Sequence, residues 1–88
     1  MTREVIWQRR ALAELASLTR RDRRSAQRIS QAVDRYAEHG HGDVRKLAGL
    51  HDQYRLRVGD FRVIFRFEND QLVIVVLRVR NRREAYRD

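Results

Sequence analysis

The sequence predicts an α/β (α+β) domain in two layers, an N-terminal helix hairpin packed on a four-stranded antiparallel sheet. Three observations carry this. Apolar residues recur at helical spacing through the first half of the chain and alternate at strand spacing through the second. The four glycines, Gly40, Gly42, Gly49 and Gly59, fall where the periodicity breaks. With 88 residues, the chain suits one domain with a modest core.

The elements follow in order. Arg3-Glu4-Val5-Ile6-Trp7 reads as a short first strand. Residues 8–18 read as a helix with Ala11, Leu12, Leu15 and Leu18 on its apolar stripe. Thr19 followed by Asp22 resembles a capping box, with Asp in place of the usual Glu. The second helix runs to about Glu38 on a stripe of Ala26, Ile29, Val33, Tyr36 and Ala37, and Gly40 suits its stop. Residues 39–52 read mostly as loop. His39, His41 and His51 fall there, but no carboxylate pair adjoins them, so no metal site is expected.

The second half forms a hairpin and a last strand. Val58-Gly59-Asp60-Phe61 fits a two-residue turn with glycine first, as in type II′. That register sets Arg57 opposite Arg62, Leu56 opposite Val63 and Tyr54 opposite Phe65. Alternation then puts Arg55, Arg57, Arg62 and Arg66 on one face with Ile64. Tyr54, Leu56, Val58, Phe61, Val63, Phe65 and Phe67 take the other, beneath the helices. In the last strand, Leu72 to Val79, the all-apolar set Val73, Val75, Leu77 and Val79 is expected to join the Phe65 face. This needs an odd-length loop near Asn69-Asp70-Gln71. A three-residue loop would bring Arg62 opposite Arg78.

Charge sets the partner class. Nineteen arginines and one lysine, Lys46, against 12 acidic residues leave a net charge of +8. Arginine offers a planar fork suited to phosphate and stacks on bases, although codon bias in a GC-rich genome also explains Arg in place of Lys. Such a charge favours nucleic acid or an acidic protein partner. Like charges facing each other across strands are destabilising. A cluster of Arg55, Arg57, Arg62, Arg78 and Arg80 is therefore accounted for by a bound anion such as RNA, by an acidic partner, or as a solvated sheet face. Arg20, Arg21, Arg23, Arg24 and Arg28 form a second group, either solvated or in contact with RNA or a ribosome.

Several classes are excluded or disfavoured. No apolar run approaches the ~18 residues of a membrane span, and the start of the chain lacks the apolar core of a signal peptide. With no cysteine, disulfides and thiolate zinc sites are ruled out. A cytoplasmic location and no cofactor are the expectation.

RNA cleavage without metal needs a base for the 2′-hydroxyl, stabilisation of the phosphorane charge and a proton for the 5′-oxygen. The tail Arg80-Asn81-Arg82-Arg83-Glu84-Ala85-Tyr86 offers groups of this kind. Surrounding arginines favour a phenolate, so Tyr86 suits a base or a stacking platform; ordinary C-terminal packing is the plain alternative. Arg62 can stabilise the phosphate. Arg82 can stand near the leaving oxygen, though a guanidinium is a poor acid.

These residues carry a resemblance. The strand-helix-helix opening, Asp43-Val44-Arg45-Lys46-Leu47-Ala48-Gly49, the hairpin Tyr54 to Phe65 and the tail Arg80 to Arg87 are similar to the RelE/ParE toxin superfamily of type II toxin–antitoxin systems. The similarity covers nearly the whole chain and implies one toxin domain, residues 1–88, of a fold like microbial ribonucleases. RelE members are mRNA interferases that cut mRNA in the ribosomal A site by 2′-hydroxyl attack. The resemblance assigns strand-binding to Arg55 and Arg57, phosphate stabilisation to Arg62, and the late arginine and tyrosine to Arg82 and Tyr86. It implies an acidic RelB-like antitoxin, with operator DNA engaged only through the antitoxin complex. Asn81 stands where many relatives carry histidine, and asparagine cannot act as a general base; some RelE members also lack that histidine. ParE relatives share the fold and poison DNA gyrase instead. A degenerate member would only bind its antitoxin and act as a corepressor.

Overall fold

Residues 2–49 and 52–82 are described by the computed structural model. In chain order they form β1 (Glu4–Trp7), α1 (Arg9–Arg21), α2 (Arg23–His39), β2 (Asp43–Lys46), β3 (Tyr54–Val58), β4 (Phe61–Glu68) and β5 (Val73–Asn81). The helix hairpin covers one face of the sheet, as expected. The sheet itself has five strands in the order β1-β5-β4-β3-β2, and β1 runs parallel to β5. The expected four-stranded antiparallel sheet is thereby corrected to a five-stranded mixed one.

The added strand is β2, in a stretch read as loop. Three of its four residues are exposed and only Val44 is half-buried. An edge strand built this way carries almost no hydrophobic alternation. Its pairing with β3 identifies it, Val44 opposite Leu56 and Arg45 opposite Arg55.

A single residue separates the helices. Asp22 caps α2: its carboxylate accepts the Ser25 backbone N–H at 3.1 Å and the Ser25 hydroxyl at 2.6 Å. The expected capping box at Thr19 does not form, because α1 runs on through Arg21 and the Thr19 hydroxyl donates back to the Leu15 carbonyl at 2.8 Å. Asp22 satisfies an orphan helix donor itself and needs no reciprocal acid. At the far end, Gly40 takes a left-handed conformation, φ 72°, and its N–H closes on the Tyr36 carbonyl.

The core lies between the layers. Ala26, Ile29, Val33 and Ala37 of α2 meet Leu56, Val63, Phe65, Ile74, Val76 and Val79 of the sheet. On α1, Ala11 and Leu18 are buried, whereas Leu12 is 50% exposed and leaves the expected stripe. Tyr36, Tyr54 and Phe67 surround the Phe65 ring with centroids 5.3 to 5.7 Å from it. The Arg3 guanidinium sits 5.4 Å from both the Tyr36 and Phe67 rings and ties the start of the chain to this cluster.

The β3–β4 hairpin has the expected register, with Val58 opposite Phe61 and Arg57 opposite Arg62. Gly59 takes φ 58° at the first turn position, as a type II′ turn requires. The β4–β5 connection differs from expectation. It spans four residues, with Asn69, Asp70 and Gln71 all at positive φ, and β5 then bulges at Leu77. Phe65 pairs with Val76, but Ile64 pairs with Arg78, so Arg62 stands opposite Arg80 rather than Arg78. Ile74, Val76 and Val79 face the helices, in place of the expected set Val73, Val75, Leu77 and Val79. The bulge has a clear physical reason. Without it, the pairing of Phe65 with Val76 would continue to Val63 with Arg78 and press an arginine into the core.

Candidate functional site

The sheet face away from the helices carries the site residues. Directly paired strand residues share a face. One cross-strand row therefore reads Asp43, Arg57, Arg62, Arg80, and the next reads Arg45, Arg55, Ile64, Arg78. Toward β1 the same face turns apolar, with Ile6 paired to Val75. Three arginines on adjacent strands thus form a continuous basic ladder, Arg57–Arg62–Arg80.

Each arginine has its own environment. Among the described residues Arg62 alone is a buried charged side chain, 5% exposed, and its Nη1 donates to the Phe61 carbonyl at 3.3 Å. Arg55 donates to the Asp43 carbonyl at 3.1 Å and lies 3.5 Å from the Asp43 carboxylate. Arg57 is exposed and makes no ion pair among the described residues. Arg66 is tied to Glu68 at 2.7 Å.

Arg78 is drawn away from the ladder. Its guanidinium pairs with the Glu14 carboxylate of α1, which also accepts the Val79 backbone N–H at 2.8 Å. Of the residues expected to bind RNA, the fold gathers Arg55, Arg57 and Arg80 around Arg62 and commits Arg78 to α1.

Arg82 follows β5 directly. Its backbone N–H donates to the Asp60 carbonyl at 2.6 Å, which anchors it beside the β3–β4 turn and the Phe61–Asn81 pair. The third expected catalytic residue, Tyr86, lies outside the described residues, as does His51. The His39 and His41 rings lie tilted by 33° with centroids 5.8 Å apart, and no group of three potential metal ligands occurs among the described residues.

Sequence reasoning missed Arg45, Asp43 and Glu14. The signal for the first two was the alternation Asp43-Val44-Arg45, which sends both charges opposite to Val44. Nothing local marks Glu14, because its partners lie 64 and 65 residues away.

A surface of this kind can grip a polyanion. Its donors are guanidiniums on rigid strands, which suit phosphate oxygens geometrically.

Known proteins share this architecture. The family model for the ParE toxin of the type II toxin–antitoxin system parDE matches residues 5–86. The archaeal RelE–RelB complex from Pyrococcus horikoshii OT3 contains a chain 30% identical, with a TM-score of 0.73 over 93% of this chain and 97% of that one. A mutant of the E. coli toxin RelE in the free state gives a TM-score of 0.73 at 22% identity, covering 99% and 90%. The chromosomal ParDE system from P. aeruginosa gives 0.71 at 16% identity, covering 91% and 96%. No curated protein sequence matches the chain. Among the described residues no helix is long and apolar enough to cross a membrane.

Proposed function

Because the chain belongs to the RelE/ParE superfamily of toxins from type II toxin–antitoxin systems, we propose that its arginine face serves a toxin activity of the RelE kind, cleavage of mRNA on the ribosome. The observation that carries this reading is the ladder Arg57–Arg62–Arg80 on the sheet face away from the helices, with Arg82 anchored beside it.

The chemistry is metal-independent phosphodiester cleavage. The 2′-hydroxyl attacks the adjacent phosphorus, the bond to the 5′-oxygen breaks, and a 2′,3′-cyclic phosphate remains. Tyr86, as phenolate, takes the 2′ proton. Arg62 and Arg80 stabilise the equatorial oxygens as charge builds in the transition state. Arg82 stands at the departing 5′-oxygen, which takes its proton from solvent water as it leaves. Arg55 and Arg57 hold the strand to either side. The burial of Arg62 strengthens its field at the phosphorus, because water does not screen it there.

The P. horikoshii relative is a RelE–RelB complex, and an acidic RelB-like antitoxin fits the +8 charge of this chain. Operator DNA would be engaged only through that antitoxin complex.

The decisive experiment is primer extension on mRNA translated by purified ribosomes with added toxin. Codon-phased cuts that need the ribosome are the expected result. The matching ParE family model favours a second reading, inhibition of DNA gyrase. Intact mRNA together with blocked supercoiling would establish that reading instead. Neither effect would leave an antitoxin-binding corepressor.

A further inference from the structure

A groove of about 400 Å³ runs between α2 and the outer end of β3. Its helix wall carries Arg28, Gln31 and Arg35, and its strand wall carries Arg57 and Gly59. Ala32, Leu56 and Val58 form the floor. Arg28 also borders a smaller cavity of about 130 Å³ on the other side of the β3–β4 turn. Its guanidinium lies over that turn: a methyl group placed on Gly59 would stand 3.6 Å from Arg28 Nη2.

Three features give the groove its character. Arg28 and Arg35 are exposed and make no ion pair among the described residues, so both charges are open to a ligand. No acidic residue lines the larger cavity. Arg57 belongs to both surfaces: it lines the groove, and it pairs with Arg62 in the ladder on the opposite face of the sheet. The basic ladder therefore ends, at Arg57, beside the mouth of the groove whose helix wall carries Arg28 and Arg35. Arg28 and Arg35 stand seven residues apart on one face of the helix, about 10.5 Å along its axis, and their long side chains can reach phosphates one or two nucleotides apart on one strand.

We propose that this groove seats the backbone of the RNA strand flanking the cleaved phosphate, with Arg28 and Arg35 on its phosphates. The identity of the strand rests on the endoribonuclease reading; the meeting of ladder and groove at Arg57 does not. A guanidinium-lined groove that tracks a backbone is how proteins hold single strands without reading sequence. The turn favours glycine at position 59 for its positive φ of 58°, since a methyl group there would meet Arg28 only at ordinary contact distance.

The test uses a fluorescent 2′-O-methyl RNA oligonucleotide, whose blocked hydroxyl prevents cleavage, titrated with purified toxin at several salt concentrations. The double variant Arg28→Ala/Arg35→Ala alters two exposed side chains and should melt like the wild type. Each phosphate contact on a single strand contributes about 0.7 to the slope of log K against log salt, so the variant should lose about 1.4. An unchanged affinity and slope would overturn the groove while leaving ribosomal cleavage by the wild type as a separate result. Loss of slope in a protein that binds but never cuts would sustain the groove and sink the nuclease reading. If the variant loses affinity for the antitoxin but keeps the full RNA slope, the groove is a protein site and the proposal fails.

Discussion

Glu14 of α1 grips Arg78 of β5 with both carboxylate oxygens: Arg78 Nε lies 3.2 Å from Oε1 and 3.0 Å from Oε2, and Nη2 lies 2.9 Å from Oε2. The same carboxylate caps the Val79 N–H, just past the bulge at Leu77. Glu14 thus fastens the strand where its parity changes, one step before Arg80 enters the ladder. The two side chains are only 24% and 22% exposed, so the pair is largely sheltered from solvent screening.

Glu14→Ala should destabilise the protein by about 2 kcal/mol, below the ~3–5 kcal/mol of a fully buried pair. For a domain of this size that lowers Tm by roughly 8–16 °C. A double-mutant cycle with Arg78→Ala, followed by urea unfolding, should give a coupling of ~1–2 kcal/mol. Additive losses would mean that the bulge holds without the pair. Arg78→Ala should also disturb stability more than RNA affinity, unlike Arg57→Ala.

Asp22 makes the stability of the helix hairpin depend on acid. Hydrogen bonds from the Ser25 hydroxyl and backbone N–H hold its carboxyl below the ordinary value of 3.8. A depressed folded-state value means the cap stabilises fully above 3.8 and loses its effect as pH falls through the lower folded-state value. Asp22→Asn should keep much of the neutral-pH stability, because asparagine also caps, while removing this acid-dependent component. Asp22→Ala should lower Tm at neutral pH. Thermal melts from pH 2 to 7 distinguish the three proteins; identical acid profiles for wild type and Asp22→Asn would rule out the cap as the titrating group.

Phe65 and Leu12 make a contrasting pair. Phe65 is 1% exposed and its ring meets Tyr36, Tyr54 and Phe67, so Phe65→Ala should cost about 3–5 kcal/mol. Helical periodicity treats Leu12 as core too, yet it is 50% exposed. Leu12→Ala should therefore stay within about 0.5 kcal/mol of wild type. Chemical denaturation measures both, and a large loss at Leu12 would contradict its placement.

Activity should follow the ladder. Arg82→Ala and Tyr86→Phe should each reduce cleavage of ribosome-bound mRNA by about 10²–10³, the usual worth of a transition-state donor. Arg62→Lys keeps the charge of a buried residue but loses the guanidinium fork, so it should lower the cleavage rate while the protein stays folded. Arg55→Ala and Arg57→Ala should weaken RNA or ribosome affinity more than the cleavage step. Asn81→His should preserve or raise activity. Single-turnover cleavage separates these effects, and a Tyr86→Phe variant with full activity would remove the tyrosine from the chemistry.

The sequence alone determined whatever depends on neighbours along the chain. Helical spacing located α2 and most of α1, and a glycine at the first turn position set the hairpin register. Strict alternation put Arg55, Arg57 and Arg62 on one face. Tertiary structure decided what depends on distant partners. Strand β2 has only Val44 to bury, so its pairing with β3, rather than its composition, makes it a strand. The parallel docking of β1 on β5 joins segments nearly 70 residues apart. The bulge at Leu77 resolves a conflict between keeping Val76 and Val79 in the core and keeping Arg78 out, and no local spacing announces it. Arg78 looked like its neighbours along the strand. What separated it from them was Glu14, brought within hydrogen-bond reach by the packing of α1 along β5.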